Sequence, residues 1–148
     1  MIPRLAAINE LRPAALCGSI RVMTRYLIIS LGAIVGANLR YIIQTWFSDR
    51  GWTTFPYATL LINVTGAFIL ALFVTLATER LALDPNYRLL VAVGFCGAFT
   101  TFSSLTYETW SVGQASGWWL ALVNLGGSAV LGMLATFLGI VAARALWR

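Results

Sequence analysis

The sequence predicts an all-α integral membrane protein of four transmembrane helices, the third broken at its centre. Hydrophobic residues make up 59% of the 148 positions and charged residues 10%, against about 45–50% and about 25% in soluble domains. Four stretches, at 26–47, 57–78, 87–110 and 118–143, reach the roughly 20 mainly apolar residues that a hydrocarbon core requires. Trp46, Trp52, Trp110, Trp118, Trp119 and Trp147 all fall at or just beyond the ends of these stretches, where amphipathic rings favour the headgroup zone. Short connections leave no room for a soluble domain, and one membrane domain over residues 23–148 is expected.

Residues 1–22 differ. Arg4, Glu10, Arg12 and Arg21 interrupt every apolar run, and Pro3 and Pro13 oppose a continuous helix. This segment reads as a loose cytoplasmic tail, with Met23 a candidate natural start. A secretory signal needs an uninterrupted apolar region of about 7–15 residues, so neither cleavage nor lipid attachment at Cys17 is expected.

The first span carries Gly32, Gly36, Arg40 and Gln44 at four-residue spacing, hence on one face. Glycines in such a series suit close helix packing. Arg40 can snorkel to the interface, or it can line an aqueous mouth and concentrate anions there. In the second span Thr59, Asn63 and Gly66 share a face. Asn63 lies deep, where its amide can form an interhelical hydrogen bond or offer an N–H to a permeating anion.

The third span contains the most informative run, Gly94-Phe95-Cys96-Gly97-Ala98-Phe99-Thr100-Thr101-Phe102-Ser103-Ser104. Two glycines and four hydroxyls are costly in lipid, and a locally unwound helix survives at that depth only where protein or a polar path surrounds it. Unwinding between Gly94 and Thr101 is expected to free backbone carbonyls for a cation or water. Beyond it, Thr101, Ser104 and Glu108 form a polar stripe ending near the far interface, beside an apolar stripe of Phe102 and Leu105. An aromatic edge is positive and suits a small anion; ordinary packing is the alternative for Phe102. In the fourth span Asn124, Ser128, Gly132, Ala135 and Gly139 make a small, polar stripe expected to pack on the third span.

Enzyme chemistry lacks its parts. There is no histidine, and four of the five carboxylates lie in the tail or loops, leaving no acid–base pair, triad or metal cluster. Cys96 reads as a small packing residue. The net charge of +5 comes from arginine alone. With a cytoplasmic N-terminus, Arg4, Arg12, Arg21, Arg25, Arg80, Arg88, Arg144 and Arg148 lie on one side and Arg50 on the other, which places both termini inside. These arginines are scattered at span ends without a stripe, so membrane lipid headgroups rather than nucleic acid are the expected partners.

The third-span run resembles the signature of the Fluc (CrcB-type) fluoride channels, and it comes with Gly-Ala-Asn-Leu-Arg-Tyr at 36–41 and Asn-Val-Thr-Gly at 63–66. The resemblance covers the whole membrane domain and implies an antiparallel, dual-topology homodimer in a bacterial inner membrane, with two pores that pass fluoride out of the cell and limit its toxicity. It also implies a structural, non-transported sodium ion at the dimer centre, held by the carbonyls of Gly97 and Thr100 from both chains. The implied ion pathway comprises Asn63, Thr101, Phe102, Ser103, Ser104, Leu105, Asn124 and Ser128, with Arg40 and Glu108 at its mouths. Ala98 stands where the family usually has a second glycine, Leu105 where it has the second phenylalanine of a pore-facing pair, and Asn124 where a tyrosine is common. The arginine bias also opposes insertion in both orientations. A small multidrug-resistance-type, proton-coupled exporter is the alternative, but the first span lacks the embedded carboxylate such a pump needs, and Glu108 lies near a predicted span end. A non-transporting scaffold would explain the glycine faces but not a hydroxyl-rich helix break.

Overall fold

In the computed structural model the described residues are 4–79, 81 and 83–146, with side chains from residue 21 onward. Helix α1 (Arg4–Asp49) is followed by α2 (Tyr57–Glu79). The third span begins with α3 (Pro85–Arg88), widens into a π-helical segment (Leu89–Cys96) and closes with α4 (Gly97–Phe99). After Thr100 and Thr101 come α5 (Phe102–Ser116) and α6 (Trp118–Ala145). Four segments are long and apolar enough to cross a membrane: Arg21–Asp49, Tyr57–Glu79, Pro85–Ser116 and Trp118–Ala145. Each contains a predicted span.

The backbone is helical from Arg4 and through Pro13, where a loose tail was expected. A proline removes one hydrogen bond and bends a helix without forbidding it. Pro3, Arg80, Trp147 and Arg148 lie outside the described residues, as do the side chains of Arg4, Glu10, Arg12 and Cys17.

Glycine decides how closely the spans approach. A Cβ on Gly32 would collide with the Leu90 carbonyl and one on Gly36 with that of Phe95, while one on Gly94 would come 2.5 Å from the Ile29 carbonyl oxygen. The first-span glycines therefore seat α1 directly against the π-helical segment, and close packing is their observed role. Gly139 does the same between α6 and α2, where a Cβ would come 2.6 Å from the Phe68 carbonyl oxygen. This corrects the partner expected for the fourth-span stripe. α6 packs mainly on α2 and only secondarily on α5, because Gly139 lies against Phe68 and Ala71 of α2 while Asn124, nearer the helix start, reaches α5.

Aromatic rings mark one membrane face. Trp46, Phe47, Trp52 and Tyr57 join edge to face around the α1–α2 connection, and Arg50 lies 3.7 Å above the Trp46 ring. Trp110 meets Trp118 on the same face, with centroids 5.3 Å apart. The opposite face carries Arg21, Arg25, Arg88 and Arg144, the last paired with Glu79 at 2.7 Å. That exposed pair joins the ends of α2 and α6, and solvent screening leaves it little weight in stability.

Candidate functional site

The break in the third span is narrower than the sequence suggests. The run from Gly94 to Phe99 stays helical, and only Thr100 (φ −78°, ψ 157°) and Thr101 (φ −151°, ψ 117°) are extended. Helical backbone persists up to Phe99 because the wide π turn rests on the glycine face of α1, which supports it without requiring it to unwind.

Asn63 of α2 holds the break open. Its Oδ1 accepts from the Thr101 N–H at 2.8 Å, and its Nδ2 donates to the Thr101 carbonyl at 3.0 Å. One amide thus satisfies both polar groups of the residue that leaves the helix. In a continuous helix the Thr101 N–H would close on the Gly97 carbonyl; here Asn63 takes it. The next displacement follows from Thr101 itself, whose hydroxyl caps α5 by accepting from the Ser104 N–H at 3.1 Å. That N–H would otherwise close on the Thr100 carbonyl. Two side chains therefore withdraw the regular helical donors from Gly97 and Thr100, the two carbonyls singled out by the resemblance.

Beside the break lies a groove of about 370 Å³ whose lining includes Asn63, Thr101, Phe102, Leu105 and Ser128. Tertiary structure brings these five predicted pathway residues together. The interhelical bond is the Asn63 contact the geometry displays, and since a carboxamide carries two N–H groups, one donor remains after Thr101 is served. Ser128 is 95% buried and its hydroxyl has no partner. Phe102 is 75% exposed, whereas Leu105 is 8% exposed. Both touch the groove, but Phe102 projects outward from the chain and Leu105 packs inward.

Other predicted residues stand around the groove rather than in it. Thr101 Oγ1 donates to Ser104 Oγ at 3.1 Å and lies 3.2 Å from Ser103 Oγ, so the three hydroxyls form one cluster. Asn124, 1% exposed, donates through Nδ2 to Thr109 Oγ1 at 2.8 Å, and its Oδ1 is buried without a partner. It sits one turn before Ser128 on α6 and so extends the polar line away from the groove. Glu108 Oε1 accepts from Thr59 Oγ1 at 2.9 Å, while Oε2 is buried without a partner. Because α5 continues to Ser116, Glu108 lies about two turns inside that helix rather than near its end. Trp110, two residues on, stands with Trp118 at the membrane face, so Glu108 remains near the end of the membrane-crossing part of that helix. Arg40, half-buried on α1, does not line the groove.

Sequence reasoning missed Thr109 and gave Thr59 no partner. Thr59 was visible as one member of a polar face with Asn63 and Gly66, all three of which meet the third span. Thr109 had no signal, because its importance comes only from facing Asn124. The arrangement offers N–H and O–H donors and an aromatic edge around a narrow space. Such a set suits stripping water from a small anion, since each hydration bond lost needs a replacement donor.

The model of the CrcB-like protein family, described as Camphor Resistance (CrcB), matches residues 27–140. A relative from Sulfurihydrogenibium sp. (strain YO3AOP1), named "Fluoride-specific ion channel FluC", is 47% identical over 124 residues, covering 84% of this chain and 100% of its own length. Relatives of the same name from Koribacter versatilis and Roseiflexus sp. are 48% and 43% identical, covering 77% and 80% of this chain and 90% and 95% of their own.

Proposed function

The chain belongs to the CrcB-like family of fluoride-specific ion channels, and on that premise we propose that fluoride crosses beside the third-span break, leaving the cytoplasm through a bacterial inner membrane. It is a multi-pass membrane protein of a channel family rather than an enzyme. The observation that carries the route is the groove, where Asn63, Thr101 and Ser128 meet Phe102. In this reading fluoride exchanges hydration water for the free Asn63 N–H, the Ser128 hydroxyl, the cluster of Thr101, Ser103 and Ser104, and the edge of Phe102. The line continues past Asn124 to Glu108, with Arg40 drawing anions toward the other mouth.

We assign the functional unit to an antiparallel homodimer. Two surface features support a second copy: Gly97 is exposed, with the Ala92 carbonyl oxygen at 3.9 Å the nearest atom to where a Cβ would stand, and the Phe102 ring projects from the chain. Gly97 and Thr100 fit a structural sodium ion, because Asn63 and Thr101 take the N–H groups that regular helix would give their carbonyls. Sodium, when bound, supplies fixed positive charge that neutralises those carbonyl dipoles. The chain's own part is to keep the carbonyls free and hold them at the break.

Liposomes containing only this protein test the reading. Fluoride efflux without chloride efflux is expected, and proton-coupled cation uptake would instead support the exporter. Phe102→Leu is expected to slow fluoride efflux at least about tenfold, equivalent to about 1.4 kcal/mol, because leucine has no positive edge. Leu105→Phe should conduct as well as or faster than wild type, since its added ring would enter the groove beside Phe102. Normal conduction by Phe102→Leu would return that residue to packing, and loss of flux in Leu105→Phe would contradict the proposed route.

Orientation has its own test. Antiparallel assembly predicts that C-terminal tags on intact cells and inverted vesicles are reachable from both membrane faces despite the arginine bias. Labelling from the cytoplasmic face alone would overturn the homodimer in favour of an oppositely inserted partner or a parallel assembly.

A further inference from the structure

On the arginine-bearing face, away from the proposed ion route, α1 around residues 21–25 and the start of α3 line a pocket of about 320 Å³, formed by Arg21, Thr24, Arg25, Asp84, Pro85 and Asn86. Arg21 and Arg25 are one helical turn apart and so share a face. Among the described residues neither guanidinium forms an ion pair or a side-chain hydrogen bond. Asp84 does not neutralise them by direct contact: its Oδ1 accepts from the Asn86 N–H at 2.7 Å and caps α3. Two forked donors with no acceptor therefore open onto one concave site.

Depth identifies the occupant. Arg25 immediately precedes the apolar stretch that begins at Tyr26, and Pro85 begins the third membrane-crossing segment, so the pocket stands where lipid headgroups stand. We propose that it binds the phosphate of an anionic phospholipid, held by the Arg21 and Arg25 guanidiniums with the Asn86 side-chain amide as a further donor. Guanidinium geometry matches two phosphate oxygens at once, and a basic pocket between helices at headgroup depth suits such lipids, in one leaflet for each copy of an antiparallel pair. The Asp84 carboxylate moderates affinity by repulsion.

Native mass spectrometry of the purified full chain, titrated with phosphatidylglycerol or phosphatidylcholine, tests this. Phosphatidylglycerol should bind at least about tenfold more tightly than phosphatidylcholine. Arg21→Gln and Arg25→Gln should each weaken it about fivefold, and the double variant about 25-fold. Asp84→Asn keeps a capping oxygen and removes a charge, so binding should tighten several-fold. Arg144→Gln, altering an arginine already tied to Glu79, should leave binding unchanged. Equal binding of the two lipids, or wild-type binding by the double variant, would overturn the site. Displacement of phosphatidylglycerol by equimolar inorganic phosphate would overturn the lipid assignment and leave a free-anion site. The variant positions are exposed, and unchanged helical circular dichroism would show that lost binding reports the pocket rather than the fold.

Discussion

Asn63→Leu is expected to abolish fluoride efflux and to lower thermal stability together. Leucine shares the branching pattern of asparagine but forms neither bond to Thr101, so the Thr101 N–H and carbonyl both lose their partner at the break. Leaving a buried polar group unsatisfied costs about 1–3 kcal/mol, although interhelical bonds in membranes average only about 0.6 kcal/mol when other partners are available. The upper range applies here, because Thr101 has left the helical ladder and Asn63 holds both its backbone groups. A total of about 2–6 kcal/mol is a large part of a typical stability of about 5–15 kcal/mol. Asn63→Asp separates the two roles. A carboxylate still accepts from the Thr101 N–H, so the break should partly survive, but the donor to the anion is gone and a repelling charge takes its place. Melting temperature and liposome efflux, measured for both variants, check this. Near-normal efflux by Asn63→Leu would remove Asn63 from both the clamp and the proposed pathway.

Gly97→Val should separate the chain's own fold from its assembly. The nearest atom to an added Cβ is the Ala92 carbonyl oxygen at 3.9 Å, an ordinary contact, and Gly97 has helical dihedrals (φ −63°, ψ −33°). Within one chain, then, valine fits, and helix propensity favours it over glycine by a few tenths of a kcal/mol. Across an antiparallel interface the branched side chain would stand between the copies, beside the carbonyls proposed for sodium. Helicity should therefore persist while dimer retention and fluoride efflux fall at least about tenfold, equivalent to about 1.4 kcal/mol. Thr100→Ser keeps its carbonyl and the hydroxyl that donates to Cys96 at 2.9 Å, so it should behave as wild type. Cross-linking, size-exclusion profiles and efflux provide the readouts. A Gly97→Val protein that dimerises and conducts normally would overturn the central ion site.

Local composition determined the four spans, their ends and the location of the polar run. Crossing lipid is a condition that each segment meets by its own length and apolarity, and tryptophan and arginine mark its limits residue by residue. The spacings of Gly32 with Gly36 and of Thr59 with Asn63 likewise showed which faces avoid lipid. They could not name the partner face, because a small residue permits close approach without choosing what approaches. Tertiary structure chose α2 for the Gly139 face and α5 for Asn124, a difference invisible to a stripe read along one helix. It also confined the break to Thr100 and Thr101. Glycine and hydroxyl content signalled a weakened helix, but the site of interruption depends on where a residue 38 positions away presents an acceptor and a donor. Backbone hydrogen bonds yield only where another partner stands within reach, and that reach is a property of packed helices rather than of the run itself.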